Sequence, residues 1–211
     1  MKKTLLITLC LPMILFGQTT TTLISEDFSS GLPADWYSAD LGLCSYGFVI
    51  DDAATYWNGA LDPTIIGAFM VAESYPPGGP ACSQDAEIYT PVFDATLCDS
   101  VFAYWSMDFD PVFPQADILS MYVWDGYVDN LLWEIDFAYA GSYYENITDF
   151  ISPFMQVGFS YSGYDGGWFA LDDVELTCFV NAPLASWDCD GLGTCYDPGT
   201  GMGTYPTQGL C

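Results

Sequence analysis

Beyond residue 17, no long stretch of this sequence places apolar residues at the i, i+3, i+4, i+7 spacing of an amphipathic helix. The chain instead breaks into short runs rich in β-branched and aromatic residues, bounded by Gly, Pro, Asp and Ser. The runs are Leu23–Phe28, Phe48–Ile50, Gly67–Ala72, Ala86–Tyr89, Ser100–Asp108, Leu119–Trp124, Leu131–Asp136, Tyr143–Asp149, Phe154–Ser160 and Trp168–Thr177. Alternation is strongest in Val101–Ser106 and in Met155–Ser160. Period two puts successive side chains on opposite faces of a sheet. Many short strands joined by turns predict an all-β chain, an antiparallel jelly-roll β-sandwich.

The first seventeen residues do not belong to that pattern. Lys2 and Lys3 precede an apolar run from Thr4 to Phe16, and Gly17 is a small residue ahead of Gln18. This is the layout of a secretory signal peptide, too short in its apolar part to span a bilayer. Cys10 lies inside the apolar run rather than at its end, which disfavours a lipoprotein. The expected organisation is a signal peptide at 1–17, a sandwich at 18–180 and a linker at 181–186. A Cys- and Gly-rich tail follows at 187–211, with too little apolar material for a core.

Charge then narrows the function classes. Lys2 and Lys3 are the only Lys or Arg residues, and there is no His, against 28 Asp and Glu. From Thr4 onward, no side chain can form an internal ion pair with a carboxylate. Self-repulsion should weaken the compact state at low salt, and divalent cations should relieve it. Nucleic acid is excluded as a partner, because phosphate binding needs Lys and Arg. Anionic membranes are excluded for the same reason, and no membrane insertion is expected after the signal is removed. Ser-His-Asp and Cys-His nucleophiles, Schiff-base lysines and Arg-clamped phosphoryl transfer all lack their residues. Only a carboxylate pair, as in glycoside hydrolysis, stays open, and no pair stands out. The chain is expected to bind rather than to catalyse. It is not a disordered polyanion: 51% is apolar, with 7 Trp, 15 Tyr and 14 Phe.

Eight cysteines are present, and one of them, Cys10, lies in the leader. In an exported chain the others read as disulfides. Cys98 precedes one long strand and Cys178 ends the last, so a bridge between sheet ends is reasonable. Cys44 with Cys82 would join two loops. Cys189, Cys195 and Cys211 remain in the tail, an odd number, which fits a fragment of a longer chain, a free thiol or a bridge to another chain. A zinc site is the weaker alternative, given no His and irregular spacing.

Glu26-Asp27-Phe28-Ser29-Ser30-Gly31-Leu32-Pro33-Ala34-Asp35-Trp36 resembles the opening motif of the cleaved-adhesin and choice-of-anchor modules of Bacteroidetes surface proteins, relatives of the MAM domain. Val101–Met107 resembles their long aromatic strand, and Leu119–Gly126 their hairpin, with Trp124 where a small residue is usual. Phe154–Ser160 and then Gly167–Leu176 resemble their closing strands, although Gln156 or Gly158 stands where the family carries a basic residue. The tail from Trp187 resembles a Cys-rich repeat of secreted marine Bacteroidetes proteins, which often end in a type IX secretion sorting domain. The resemblance implies a secreted or cell-surface adhesion module.

It also implies a calcium ion held by the opening acidic residues and the closing Asp pair: Glu26, Asp27, Asp172 and Asp173. The chemistry agrees, since one of two adjacent strand carboxylates points inward or toward a sheet edge and no basic residue is available to compensate it. Solvated turn residues are the alternative reading. Asp108 and Asp110 could add ligands. Asp51-Asp52 reads as a turn, and Asp188-Cys189-Asp190-Gly191 only begins like an EF-hand loop.

Aromatics near turns suit the apolar faces of sugar rings. The Tyr161–Trp168 loop is the best candidate for a glycan or surface-protein ligand, through Tyr161, Tyr164, Asp165 and Trp168. Core packing is the alternative for each. A module that serves as one structural bead of a larger assembly, with no ligand of its own, is the second function class.

Overall fold

The computed structural model describes residues 18–44, 47–56, 61–74, 82–112, 116–164, 166–181, 188–189 and 195–196. Residues 1–17, where the signal peptide is expected, most of the tail and Asp165 lie outside the described residues. Thr20–Val180 forms one compact unit. Its strands are β1 (Gln18–Glu26), β2 (Tyr37–Asp40), β3 (Val49–Asp52), β4 (Ala68–Glu73), β5 (Ser83–Tyr89), β6 (Ser100–Asp110), β7 (Ile118–Trp124), β8 (Asp129–Ile135), β9 (Tyr139–Asn146), β10 (Gln156–Tyr164) and β11 (Trp168–Asn181). One three-residue 3₁₀ turn, Thr148–Phe150, follows β9. No helix among the described residues is long and apolar enough to cross a membrane.

The strands form two antiparallel sheets, and the fold is the β-sandwich expected from the alternation. The six-stranded sheet runs β3-β4-β11-β6-β9, with β1 also paired to β11. The five-stranded sheet runs β2-β5-β10-β7-β8. Each sheet interleaves strands distant in sequence, so the pairing is non-local.

The inner faces supply the main core. Val101, Ala103, Trp105, Met107 and Phe109 alternate along β6, and Leu119, Met121 and Val123 along β7. Val157, Phe159 and Tyr161 come from β10. Phe28 and Trp36 of the opening motif pack edge to face, with centroids 5.3 Å apart. Gly31, at φ +92°, makes the turn between them, its N–H donating to the Phe28 carbonyl at 2.9 Å. The motif is therefore a packing device.

A smaller apolar cluster lies on the other face of the six-stranded sheet. Phe69, Val71, Trp168 and Ala170 are covered there by Tyr56 and Ile65 from the β3–β4 connection. The unit's two disulfides are those drawn from the sequence. Cys98–Cys178 joins residues 80 apart and Cys44–Cys82 residues 38 apart.

Strand β2 is a departure from the sequence expectation. Tyr-Ser-Ala-Asp is short and polar, and it is a strand only because β5 lies beside it, with Tyr37 opposite Tyr89. In the tail, Asp188–Cys189 pairs with Cys195–Tyr196, placing Cys189 opposite Cys195.

Candidate functional sites

The closing Asp pair sits at a β-bulge in β11. Asp172 faces Ser106 of β6 and Glu175 faces Tyr104, so Asp173 and Val174 oppose a single residue. Phe169 and Leu171 face the core. Strict alternation would then send Asp173 inward. The bulge shifts the phase, so that Val174 and Leu176 are buried and Asp173 is exposed at φ +50°. A non-glycine residue in that region is strained, and here the strain keeps a carboxylate out of the core.

Asp172 points away from the main core and is still 1% exposed. Its Oδ2 accepts the Ile66 N–H at 3.1 Å, and its Oδ1 accepts the Asp173 N–H at 2.8 Å. Burial pushes its pKa up to about 6, against the lowering effect of those two hydrogen bonds, with the Asp173 and Asp27 charges adding to the rise. On the neighbouring strand, the Asp108 Oδ2 accepts the Asp62 N–H at 2.6 Å, and burial raises its pKa too. Two buried carboxylates on adjacent strands thus anchor residues 62–66 over the smaller apolar cluster.

The opening acidic residues are engaged locally. The Glu26 Oε1 accepts the Phe28 N–H at 2.7 Å, and the Asp27 Oδ1 accepts the Ser29 N–H at 3.0 Å. Hydrogen bonds from Ser29 hold the Asp27 carboxyl below its ordinary pKa. Among the described residues, no three acidic or cysteine side chains converge closely enough to hold a metal ion. Asp51 and Asp52 end strand β3 rather than forming the expected turn, which follows them at 53–55 with Asp52 Oδ1 accepting the Ala54 N–H at 2.8 Å.

The aromatic loop expected to face a ligand needs correction. Tyr161 is fully buried in the main core, and Trp168 is 4% exposed beneath Tyr56, with centroids 5.6 Å apart. Neither can offer a ring face to a sugar. Of the expected set, Tyr164 is exposed at 53%, and Asp165 lies outside the described residues.

The loop is organised from below by Asp117, which is fully buried. Its Oδ1 accepts the Tyr164 N–H at 2.8 Å and its Oδ2 accepts the Val112 N–H at 2.7 Å. A Cβ on Gly167 would stand 2.5 Å from that Oδ2, so the loop needs glycine to pass over the carboxylate. Burial raises the Tyr161 pKa, and the Asp117 charge adds to it. Ser74 closes the network, accepting the Gly166 N–H at 3.0 Å and donating to the Gly167 carbonyl at 3.1 Å. Nothing in the sequence around Asp117 distinguishes it from the other acidic residues.

The outer face of the five-stranded sheet carries one exposed aromatic, Tyr37, and three half-buried ones, Tyr89, Tyr122 and Trp124, that sequence reasoning had not brought together. The registers align Tyr37, Tyr89, Gly158, Tyr122 and Leu131 in one row across all five strands. The Tyr89 ring lies over Gly158, where a Cβ would come within 2.3 Å of it. Beside this row, Gln156, Trp124 and Asp129 are aligned on β10, β7 and β8. Tyr37, Glu87, Tyr89, Trp124, Asp129 and Gln156 line a shallow depression of about 270 Å³. Partial burial raises the Glu87 pKa, with Asp85 and Asp129 contributing. The Tyr89 pKa rises by burial, with Asp129 and Glu87 again contributing.

The class these observations define is an antiparallel β-sandwich with one open, aromatic and acidic sheet face. Among solved structures, the fold is similar to the K1 cleaved adhesin domain of Lys-gingipain from Porphyromonas gingivalis W83. That match has a TM-score of 0.58 and 19% identity, and spans 75% of this chain and 97% of the domain. The K3 domain of the same protein matches at TM-score 0.56 and 18% identity, over 75% of this chain and 99% of that one. The K2 domain matches at 0.52 and 15%, over 72% and 96%. At these identities the likeness is one of fold. No protein-family model matches the sequence, and a search of curated proteins finds no match.

Proposed function

We propose that the chain is a secreted or cell-surface adhesion module that binds a glycan on the outer face of its five-stranded sheet. The observation carrying this reading is the row of Tyr37, Tyr89 and Tyr122 with Trp124 beside it, flanked by Glu87, Asp129 and Gln156. Sugar rings present apolar C–H faces that stack on aromatic rings, and hydroxyls that pair with carboxylates and amides. Both kinds of partner stand together here on a rigid sheet. Two disulfides fit an oxidising, extracellular destination. The missing basic residues favour binding over catalysis.

A glycan array followed by calorimetric titration tests the reading. Binding should be lost in Trp124→Ala and Tyr89→Ala proteins that stay folded. Unchanged affinity in both would remove the sheet face from consideration. An array with no hit would favour a surface-protein ligand or the structural-bead role.

Calcium is the second part of the reading, with Glu26, Asp27, Asp172 and Asp173 as the residues that would hold it. Their hard oxygen donors suit Ca²⁺, and a buried carboxylate with its pKa raised to about 6 gains from a cation. Their spacing is not a closed cage, so the ion would have to draw Asp27 and Asp173 toward Asp172. Bound calcium would supply the positive charge that no side chain provides. Thermal unfolding in chelator, calcium or magnesium decides it. A rise in Tm with calcium that magnesium does not reproduce is expected, whereas equal effects reduce the ion to general charge screening.

A further inference from the structure

Strands β8 and β9 are the outer strands of their two sheets, and residues of both line one cleft. The inward positions of β9 are Tyr139, Tyr143 and Glu145, opposite Phe109, Trp105 and Ala103 of β6. From the other sheet, Trp133 lies opposite Met121, an inward position of β7. The result is a cleft of about 310 Å³ lined by Trp105, Trp133, Phe137, Tyr139, Tyr143 and Glu145, among others. Trp105 forms its floor, stacked on Trp133 at 6.2 Å and on Tyr143 at 5.9 Å. Tyr143 continues the row to Tyr139 at 4.5 Å. Phe137 and Tyr139 stand exposed at the mouth, at 54% and 41%.

We propose that this cleft binds an organic cation, with a quaternary ammonium group as its best case. Aromatic faces attract cations through their quadrupoles, and more strongly once the cation is desolvated. Glu145 is the carboxylate of this aromatic lining, half-buried on the inward side of β9. Glu134 and Asp136 line the adjoining depression with Ile135, which borders both. From Thr4 onward the chain holds no basic side chain that could fill the cleft from within. A neutral sugar is served best by several carboxylates and amides, and those gather on the sheet face, at Glu87, Asp129 and Gln156, whereas the cleft has a single carboxylate among its rings. The cleft offers rings and a carboxylate, which is the donor set of a cation site. The inference stands apart from the glycan reading, since no residue is shared.

Titrations in about 150 mM salt, where distant charges are screened, compare choline with its neutral isostere 3,3-dimethylbutan-1-ol. Tryptophan fluorescence and calorimetry are the readouts. Choline should bind at least about tenfold more tightly. Glu145→Gln, which keeps the side chain's shape, should weaken choline about five- to tenfold. Trp133→Ala should also weaken it, while Trp124→Ala on the sheet face should leave it unchanged. N-acetylarginine amide separates the sources: tighter binding than choline would assign the cleft to a cationic side chain of a protein partner. Equal affinity for choline and the isostere, no saturable choline binding, or a Glu145→Gln protein with unchanged affinity would each overturn the proposal.

Discussion

Asp172 should make this protein more stable in mild acid, provided calcium is absent. Its folded-state pKa of about 6 lies above the ordinary value of 3.8. A carboxyl raised in this way binds its proton more tightly when folded. Its stabilising contribution is therefore complete below the unfolded pKa and is lost as pH rises through the folded one. Between pH 7.5 and pH 5, the shift corresponds to about 1.4 kcal/mol, and about 1 kcal/mol after allowance for solvent screening. For a unit of this size that is a Tm rise of about 2–4 °C. The assay is urea denaturation in chelator across this range, for the native chain and for Asp172→Asn. Asparagine cannot titrate, so the difference between the two pH profiles isolates Asp172 from the relief of general self-repulsion. With saturating calcium the trend should reverse, because protons and the ion compete for the same oxygens. Parallel profiles for the two proteins in chelator would refute the assignment of a buried, charge-crowded Asp172.

Other perturbations have effects of stated size. Replacing Cys98 and Cys178 by alanine should cost about 4 kcal/mol by the loop-entropy account, given their separation of 80 residues, as read by urea midpoint. Asp117→Ala orphans the Val112 and Tyr164 N–H groups, and should destabilise by about 2–4 kcal/mol and speed proteolysis at the 161–168 loop. Gly158→Ala should displace the Tyr89 ring, abolishing glycan binding at a cost of about 1–3 kcal/mol. Retained glycan affinity there would separate Tyr89 from the binding face.

Much of the fold was legible because local rules carry it. Alternation along Val101–Ser106 and Met155–Ser160 marks which residues can share a face. Turn residues mark where each strand stops, and cysteines at the ends of distant strands and loops point to bridges. Strand β2 was not legible. A four-residue polar segment has no period of its own, and it becomes a strand only by lying beside Ser38's partner Ile88 and its neighbours on β5. The same limit hid Asp117, whose importance comes from holding the nearby Val112 N–H and the Tyr164 N–H, 47 residues away, on one buried carboxylate.

The sequence by itself determined that the protein is β-rich, strongly acidic and, from Thr4 onward, unable to compensate a buried carboxylate with a side-chain cation. It also determined that Asp172 and Asp173 could not both be solvated in a regular strand. The tertiary structure decided which carboxylate is buried, through a bulge that turns Asp173 outward and leaves Asp172 beneath the 62–66 segment. It likewise decided which aromatics meet solvent. Trp168 and Trp124 both end or begin strands beside turns, yet Trp168 is covered by Tyr56 and Ile65 while Trp124 lines the sheet face. The reason is physical. Periodicity assigns a side chain to a face, but only the packing of distant segments determines whether anything covers that face.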